Sequence, residues 1–127
     1  MRLFLAFALP EDVRAALVDL QERARGLRFE GRWPPSDTFH VTLHFLGERS
    51  PEEVATIERL AAACAARTPA LTLRTGGVGG FPTARRARMA WLALESHPAL
   101  EALAHDLQRA FADSDSRPFV PHLTWAR

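Results

Sequence analysis

The sequence predicts a mixed fold of strands and helices with two similar lobes, and two observations support it. Apolar runs typical of strands alternate with longer segments in which apolar residues recur at helical spacing. The succession of strand, helix, loop and His-x-Thr occurs from Leu3 to Thr42 and again from Met89 to Thr124. Because two copies are too few to stack as a solenoid, we expect two similar lobes.

In the first half of the chain, the apolar run Leu3–Leu9 predicts a strand that is covered on both faces. Pro10 opens a helix that ends near Gly26. After the loop "GRWPPSDT", the stretch Phe39–Leu46 predicts the next strand. The sequence "SPEE" from residue 50 is a capping box with Pro at the first helical position, so it predicts the start of a second helix.

In the second half, Leu71–Thr75 predicts a strand and "GGVGGFPTARR" a loop. The loop lacks the third glycine of a dinucleotide-binding motif and precedes a strand rather than a helix, so we exclude such a site. Arg88–Leu94 predicts another strand, and His122–Arg127 starts a final one. Between them, a third helix is indicated by the spacing of Leu100, Leu103, Leu107 and Phe111.

Composition excludes several kinds of chemistry. The 127 residues suffice for one domain, and a net charge of +1 gives no general attraction to polyanions. All 16 basic side chains are Arg, which excludes the lysine of a phosphate-binding loop, a Schiff base and a lysyl-adenylate. The single cysteine, Cys64, excludes an internal disulfide and is expected to be a buried thiol. The first apolar run is short for a secretory signal and no segment is long enough to span a membrane, so we expect a cytoplasmic protein.

The stretches "FHVTLHFLGE" and "FVPHLTWAR" repeat one pattern of His, an aliphatic residue, Thr and an apolar residue. Since strand side chains alternate between faces, each copy presents an imidazole and a hydroxyl about 7 Å apart on one face: His40 with Thr42, and His122 with Thr124. The opposite face of the first copy is expected to be core: Phe39, Val41, Leu43 and Phe45. Either copy alone fits a half-exposed strand without function, but the repetition favours a site.

Two imidazoles from two lobes suit acid–base chemistry. A free histidine titrates near pH 6.5, so one ring can accept a proton while the other donates one. With threonine hydroxyls holding the oxygens between them, this arrangement fits in-line phosphoryl transfer without a metal. His40 and His44 would stand about 13 Å apart on a strand, too far to share a zinc ion. We expect His44 at the rim of the site, and His97 and His105 in solvent.

"HVTLHFLG" and "PHLTWAR" resemble the paired motifs of the 2H phosphoesterase superfamily. Within it, the chain is most similar to the RNA 2′,3′-cyclic phosphodiesterases, also called LigT-type 2′-5′ RNA ligases. The likeness extends over "RLFLAFALPEDVR", "GGVGGFP" and "RMAWLAL". It implies an α+β, bilobal fold in which two antiparallel sheets line a central cleft, helices pack outside and each lobe supplies one motif.

The resemblance also implies roles. His40 and His122 would be the catalytic pair, and Thr42 and Thr124 would hold the phosphate. His122 would act as base toward water and His40 as acid toward the departing 2′ oxygen, giving a 2′-phosphate and, in reverse, 2′-5′ ligation. Arg127 matches the family's final arginine and could bind phosphate, with a solvated terminal arginine as the other interpretation. The substrates would be RNA ends or nucleotides carrying a 2′,3′-cyclic phosphate, with no cofactor, membrane or obligate protein partner.

Family members generally continue beyond the second motif, adding strands to the lobe that carries the first. The resemblance therefore implies that residues 1–127 are a single bilobal domain without its usual C-terminal segment. For a chain that stops at Arg127, we expect weakened activity or association between chains. Two interpretations of Arg85, Arg86 and Arg88 stay open. They could contact the phosphates of an RNA backbone, or they could form an exposed basic loop without a role. The alternative function is a module that binds RNA or nucleotide phosphate without turnover.

Overall fold

The structure is a computed structural model that describes residues 1–24, 39–81, 89–114 and 118–126. Five strands and three helices occur in these ranges. In chain order they are β1 (Arg2–Ala8), α1 (Glu11–Ala24), β2 (His40–Glu48), α2 (Val54–Ala66), β3 (Thr75–Phe81), β4 (Met89–Leu94), α3 (Pro98–Ala110) and β5 (His122–Ala126). The strands form one sheet in the order β1-β2-β5-β4-β3, and β2 with β5, β5 with β4 and β4 with β3 are antiparallel pairs. The expected α+β class is confirmed.

The chain divides into two compact units, each built from three separate stretches. Unit 1 comprises Met1–Ala6, Thr42–Arg74 and Glu95–Pro121, and unit 2 comprises Phe7–Val41, Thr75–Leu94 and His122–Arg127. The units do not coincide with the two sequence copies. In the first copy β1 lies mostly in unit 1 and α1 in unit 2, whereas in the second β4 lies in unit 2 and α3 in unit 1.

The three predicted helices are confirmed, and their starts follow the expected chemistry. Glu11 and Asp12 place negative charge in the first turn of α1, near the positive end of the helix dipole. Before α2, the backbone N–H of Ser50 donates to the Glu53 carboxylate at 2.7 Å, as in a capping box. His97 was expected in solvent but caps α3, since its Nδ1 accepts from the backbone N–H of Ala99 at 3.0 Å.

Each unit has its own apolar core. In unit 1, α2 and α3 pack with the end of β2, and the buried residues are Leu46, Ile57, Cys64, Leu103, Leu107 and Phe111. The prediction that Cys64 is a buried thiol is thereby confirmed. In unit 2, α1 packs with β4, β5 and the residue before β2, and the buried residues are Leu17, Phe39, Leu92 and Leu123.

The buried face of β2 changes along its length. Near its start Val41 is buried, but further along His44 and Leu46 are buried while Phe45 is 48% exposed. The sequence-based placement of Phe45 in the core and of His44 at the rim is therefore wrong. A simple alternation assumes that one face of a strand is covered throughout. In β2 the first residues belong to unit 2 and the later ones to unit 1. Phe39, just before the strand, lies in the core of unit 2, and Leu46 near its end lies in the core of unit 1.

Strand β1 is not covered on both faces. Leu3 and Leu5 are half-buried and pack against the core of unit 1, whereas Phe4 between them is 47% exposed. The expectation from the continuous apolar run is therefore wrong. Because β1 lies at one end of the strand order, such a run does not require the doubly covered position typical of central strands.

The glycine-rich stretch that the sequence predicted as a loop is largely a strand. Residues 76–81 belong to β3, and Val78 pairs with Leu92 of β4, whereas of the predicted strand Leu71–Thr75 only Thr75 belongs to β3. Glycine propensity disfavours a strand, but ladder pairing overrides it here. At Gly76 a Cβ atom would lie 3.4 Å from the Cβ of Ala93, so a small residue suits the close approach to β4.

Candidate functional site

The first His-x-Thr motif lies at the start of β2. His40 is the first residue of the strand and Thr42 follows two positions later; both are half-buried. Since alternate residues of a strand share a face, both lie on the face opposite Val41, which is only 1% exposed. The buried valine holds this part of the strand against the core, and the polar side chains lie on its other face.

The second motif lies at the start of β5. His122 is half-buried and begins the strand, and Leu123 next to it is 1% exposed. On the neighbouring strand β4, Ala93 pairs with His122 and Leu92 with Leu123. The backbone position of Thr124 is fixed in the same ladder, where it pairs with Trp91.

The antiparallel pairing of β2 with β5 brings the two histidines together. Val41 pairs with Leu123, and the same register aligns His40 with Thr124. His122 stands two residues before Thr124, so the two histidines are diagonal neighbours in the ladder. Diagonal neighbours on one face of an antiparallel pair lie about 7–8 Å apart, within reach of each other's long or aromatic side chains. His40, His122 and Thr124 all belong to unit 2.

Two imidazoles at this spacing can contact oxygens of one small anion. A phosphate group that accepts a hydrogen bond of about 2.9 Å from each ring would fit between side chains whose backbones are diagonal neighbours. One ring can then remove a proton while the other supplies one. The arrangement fits acid–base chemistry on a phosphoryl group better than metal chelation. Among the described residues, no three His, Cys, Asp or Glu side chains are grouped as metal ligands.

Several arginines of the sequence-based hypothesis lie outside the described residues. These are Arg85, Arg86, Arg88 and Arg127. Their predicted contacts with phosphate or RNA therefore stay predictions. In the part of the chain that the structure describes, no helix has the length and apolar character to cross a bilayer.

An exposed aromatic pair on unit 1 was missed at the sequence level. The rings of Phe4 and Phe45 are tilted by 48° with centroids 6.2 Å apart, and each residue is nearly half exposed. Exposed aromatic rings offer faces on which nucleobases can stack. The signal that could have found this pair is the apolar character of both strands at their outward-facing positions, which we had interpreted as core.

A charged cluster in unit 1 was also missed. A side-chain hydrogen bond to Asp113 raises the pKa of the Arg49 guanidinium, and the same bond lowers the pKa of the Asp113 carboxyl. The pKa of Glu53 is lowered, chiefly by the hydrogen bond from the backbone of Ser50. Arg49 and Asp113 are 64 positions apart, so no local spacing in the sequence indicates their contact.

Comparisons with known proteins identify the family of the chain. The profile of the LigT-like phosphoesterases matches residues 7–91. A protein of Thermus thermophilus named RNA 2′,3′-cyclic phosphodiesterase is 36% identical, and the alignment covers 100% of this chain and 68% of that relative.

Solved structures show the same fold. A crystal structure of a Thermus thermophilus protein superposes with a TM-score of 0.83 at 36% identity, covering 100% of this chain and 74% of that one. Escherichia coli LigT in complex with 3′-AMP superposes with a TM-score of 0.78 at 34% identity, covering 99% and 71%. The chain carries the paired histidine motifs, and the profile match and the 36% identity show that it belongs to the LigT-like phosphoesterase family.

Proposed function

We propose that this protein hydrolyses 2′,3′-cyclic phosphates on RNA ends or nucleotides to 2′-phosphates without a metal ion. The observation that carries the proposal is the diagonal pairing of His40 and His122 across β2 and β5. Further support comes from relatives named RNA 2′,3′-cyclic phosphodiesterase and from a LigT relative that binds 3′-AMP.

In the proposed reaction, water attacks phosphorus while His122 takes its proton, and His40 donates a proton to the ribose oxygen that leaves. A 2′-phosphate keeps the bond between phosphorus and O2′, so the bond that breaks is that to O3′. The sequence-based assignment of His40 to a departing 2′ oxygen is corrected accordingly, because that cleavage would give a 3′-phosphate. The protons balance, because His122 takes one proton from the attacking water and His40 gives one proton to O3′.

Thr42, Thr124 and Arg127 are proposed to bind the phosphate oxygens. A hydroxyl donates to a phosphate oxygen without adding charge, and an arginine fork can donate two hydrogen bonds. Charge that develops on the oxygens during attack is thereby stabilised. The half-buried position of Thr42 on the His40 face of β2 supports its part in this proposal.

The proposal extends to substrate, compartment and domain organisation. With a 5′-hydroxyl in place of water, the same displacement of O3′ would join RNA ends through a 2′-5′ linkage. The proposed compartment is the cytoplasm, which cell fractionation would test. We also propose that residues 1–127 act as one domain. Alignments that cover the whole of this chain within single relatives support one domain.

The test is hydrolysis of 2′,3′-cyclic AMP in excess chelator, with 2′-AMP and 3′-AMP separated by chromatography. We expect turnover that persists in chelator and yields 2′-AMP. The pH profile should be bell-shaped, because one histidine must be unprotonated while the other is protonated. His40→Ala and His122→Ala should each abolish turnover.

Two results would reject the proposal. One is loss of activity in chelator with recovery on adding a divalent metal. The other is turnover that survives in the His40→Ala/His122→Ala double variant. Binding of 2′-AMP by the parent and the double variant alike, with no turnover by either, would instead favour the phosphate-binding module.

A further inference from the structure

The two chain segments that carry the histidines are tied together a second time, away from the ladder. Strand β2 carries His40 at its start, and the segment after α3 leads to His122. Within unit 1, His44 in the middle of β2 contacts Ser114, and Arg49 just after β2 contacts Asp113. Both partners follow α3 in the chain. We call these four residues the clasp: His44, Arg49, Asp113 and Ser114.

The ionic half of the clasp is a two-pronged contact. Arg49 Nη1 and Nη2 lie 3.0 Å from the two carboxylate oxygens of Asp113. Its Nε donates to the carbonyl of Leu46 at 3.2 Å, and its side chain is only 10% exposed. Such a bidentate geometry fixes direction as well as distance. The pKa directions of Arg49 and Asp113 agree, because each favours the charged form of its partner.

The neutral half is a buried relay. The Ser114 hydroxyl donates its single proton to the carbonyl of Phe111, so it accepts the hydrogen bond from Nε2–H of His44. His44 is 6% exposed, and its ring stacks on that of Phe111 with centroids 6.3 Å apart. Like the ionic half, it joins β2 to the segment after α3.

We propose that the clasp is a positioning device that sets the register of β5 against β2 for the proposed reaction. A slip of two residues would keep the same side chains on each face, so the alternation of buried and exposed faces does not by itself oppose it. The slip would, however, move His122 by about 7 Å relative to His40. Ser114 precedes His122 by eight positions, so anchoring it shortens the free segment that leads to β5 and reduces the number of conformations in which β5 is shifted.

The inference rests on the proposed function, and the test uses the full chain. The clasp variant Asp113→Asn/Ser114→Ala removes the charge of one half and the hydroxyl of the other. We expect kcat for 2′,3′-cyclic AMP to fall at least about tenfold, with little change in KM, because misplaced acid and base groups slow the chemical step. Asp106→Asn is the matched control: it removes the exposed Arg67–Asp106 pair from the same unit and should leave kcat unchanged.

A second control separates positioning from stability. Ile57→Val trims the core of unit 1, and it should lower Tm without lowering kcat at temperatures well below melting. The comparison is made between variants that lose equal amounts of Tm. If Ile57→Val then lowers kcat as much as the clasp variant does, the clasp is not a positioning device.

Amide hydrogen exchange of the Leu123 N–H provides a readout that needs no activity. We expect faster exchange in the clasp variant than in the parent or in Asp106→Asn. If the parent protein shows no turnover, the proposed function is rejected. The exchange rates of the Leu123 N–H in the parent and in the clasp variant would still show whether the clasp holds β5. An active parent whose clasp variant keeps both kcat and the exchange rate would overturn the clasp and leave the function standing.

Discussion

Units 1 and 2 are held together in different ways. The described core of unit 1 comes mainly from α2 and α3, and the clasp adds polar ties between its segments. The described core of unit 2 is smaller, with one helix, and its strands pair through the β3–β4 and β4–β5 ladders. Both histidines of the candidate site belong to unit 2.

This difference indicates which kind of packing would control the proposed chemistry. In unit 2, the positions of the two proposed catalytic histidines follow from ladder register, and a change in register moves whole rows of side chains. In unit 1, helix packing supplies stability at a distance from the histidines along the chain. Substitutions of equal size in the two cores should therefore have similar effects on stability and different effects on turnover.

The largest expected effect tests this directly. Leu123→Ala in unit 2 and Leu107→Ala in unit 1 each leave a cavity in the core, because both leucines are at most 2% exposed. Each should lower the free energy of unfolding by about 2–5 kcal/mol, measured by urea titration. Because Leu123 lies between His122 and Thr124, its variant should also lose turnover while still folded. Equal kcat losses in both variants would erase the distinction between the units.

A smaller effect comes from two glycines, one in each unit. Gly47 of unit 1 has φ of +77°, so Gly47→Ala should cost about 1–2 kcal/mol from backbone strain. Gly76 of unit 2 has no such angle, and its Cβ would meet Ala93 at ordinary van der Waals distances of 3.4 Å (Cβ), 3.6 Å (carbonyl oxygen) and 3.8 Å (carbonyl carbon). Gly76→Ala should therefore cost less. Thermal melts of both variants check the ranking, and a more damaging Gly76→Ala would contradict it.

The cap of α3 should contribute less still. His97→Ala removes the acceptor for the Ala99 N–H and should cost about 1 kcal/mol in chemical denaturation. His105→Ala, at an exposed position within the same helix, is the control and should change stability little. His97→Asn, which keeps a capping acceptor, should restore most of the loss; failure of that rescue would rule out capping as the cause.

The smallest effect concerns pH. Because the pKa of Asp113 is lowered in the folded state, its ion pair stabilises unit 1 above the ordinary carboxyl pKa of about 3.9 and is lost as the pH falls through the folded value. The Tm of the parent should exceed that of Asp113→Asn near neutral pH, and the gap should close in acid. In unit 2, Glu11→Gln removes an exposed pair with Arg14 and should change Tm less. A gap that widens in acid would contradict the sign.

Much of the fold could be predicted from local signals. The helices follow from apolar spacing and from residues at their starts, such as Pro10 and the Ser50–Glu53 box. The repeated motif predicted which histidines would lie together. These features depend on residues close in sequence or on a pattern repeated in register, and both are visible without the fold.

Other features depend on contacts between distant segments. The change of buried face in β2 arises because two cores use the two ends of one strand, so His44 and Phe45 were misplaced. Strand β3 exists through pairing with β4, against the preference of its glycines. The Arg49–Asp113 contact joins residues 64 positions apart and has no local signature. The roles of Thr124 and Arg127 stay predictions.

The position of β1 has a practical consequence for handling the protein. Among the described strands, only β2 lies beside it, and residues 3–8 contain no charge, proline or glycine. Proteins commonly use such residues to keep sheet edges from joining one another. Concentrated samples should therefore aggregate through pairing of β1 strands. Ala6→Lys would place a charge on this strand and should reduce the aggregation.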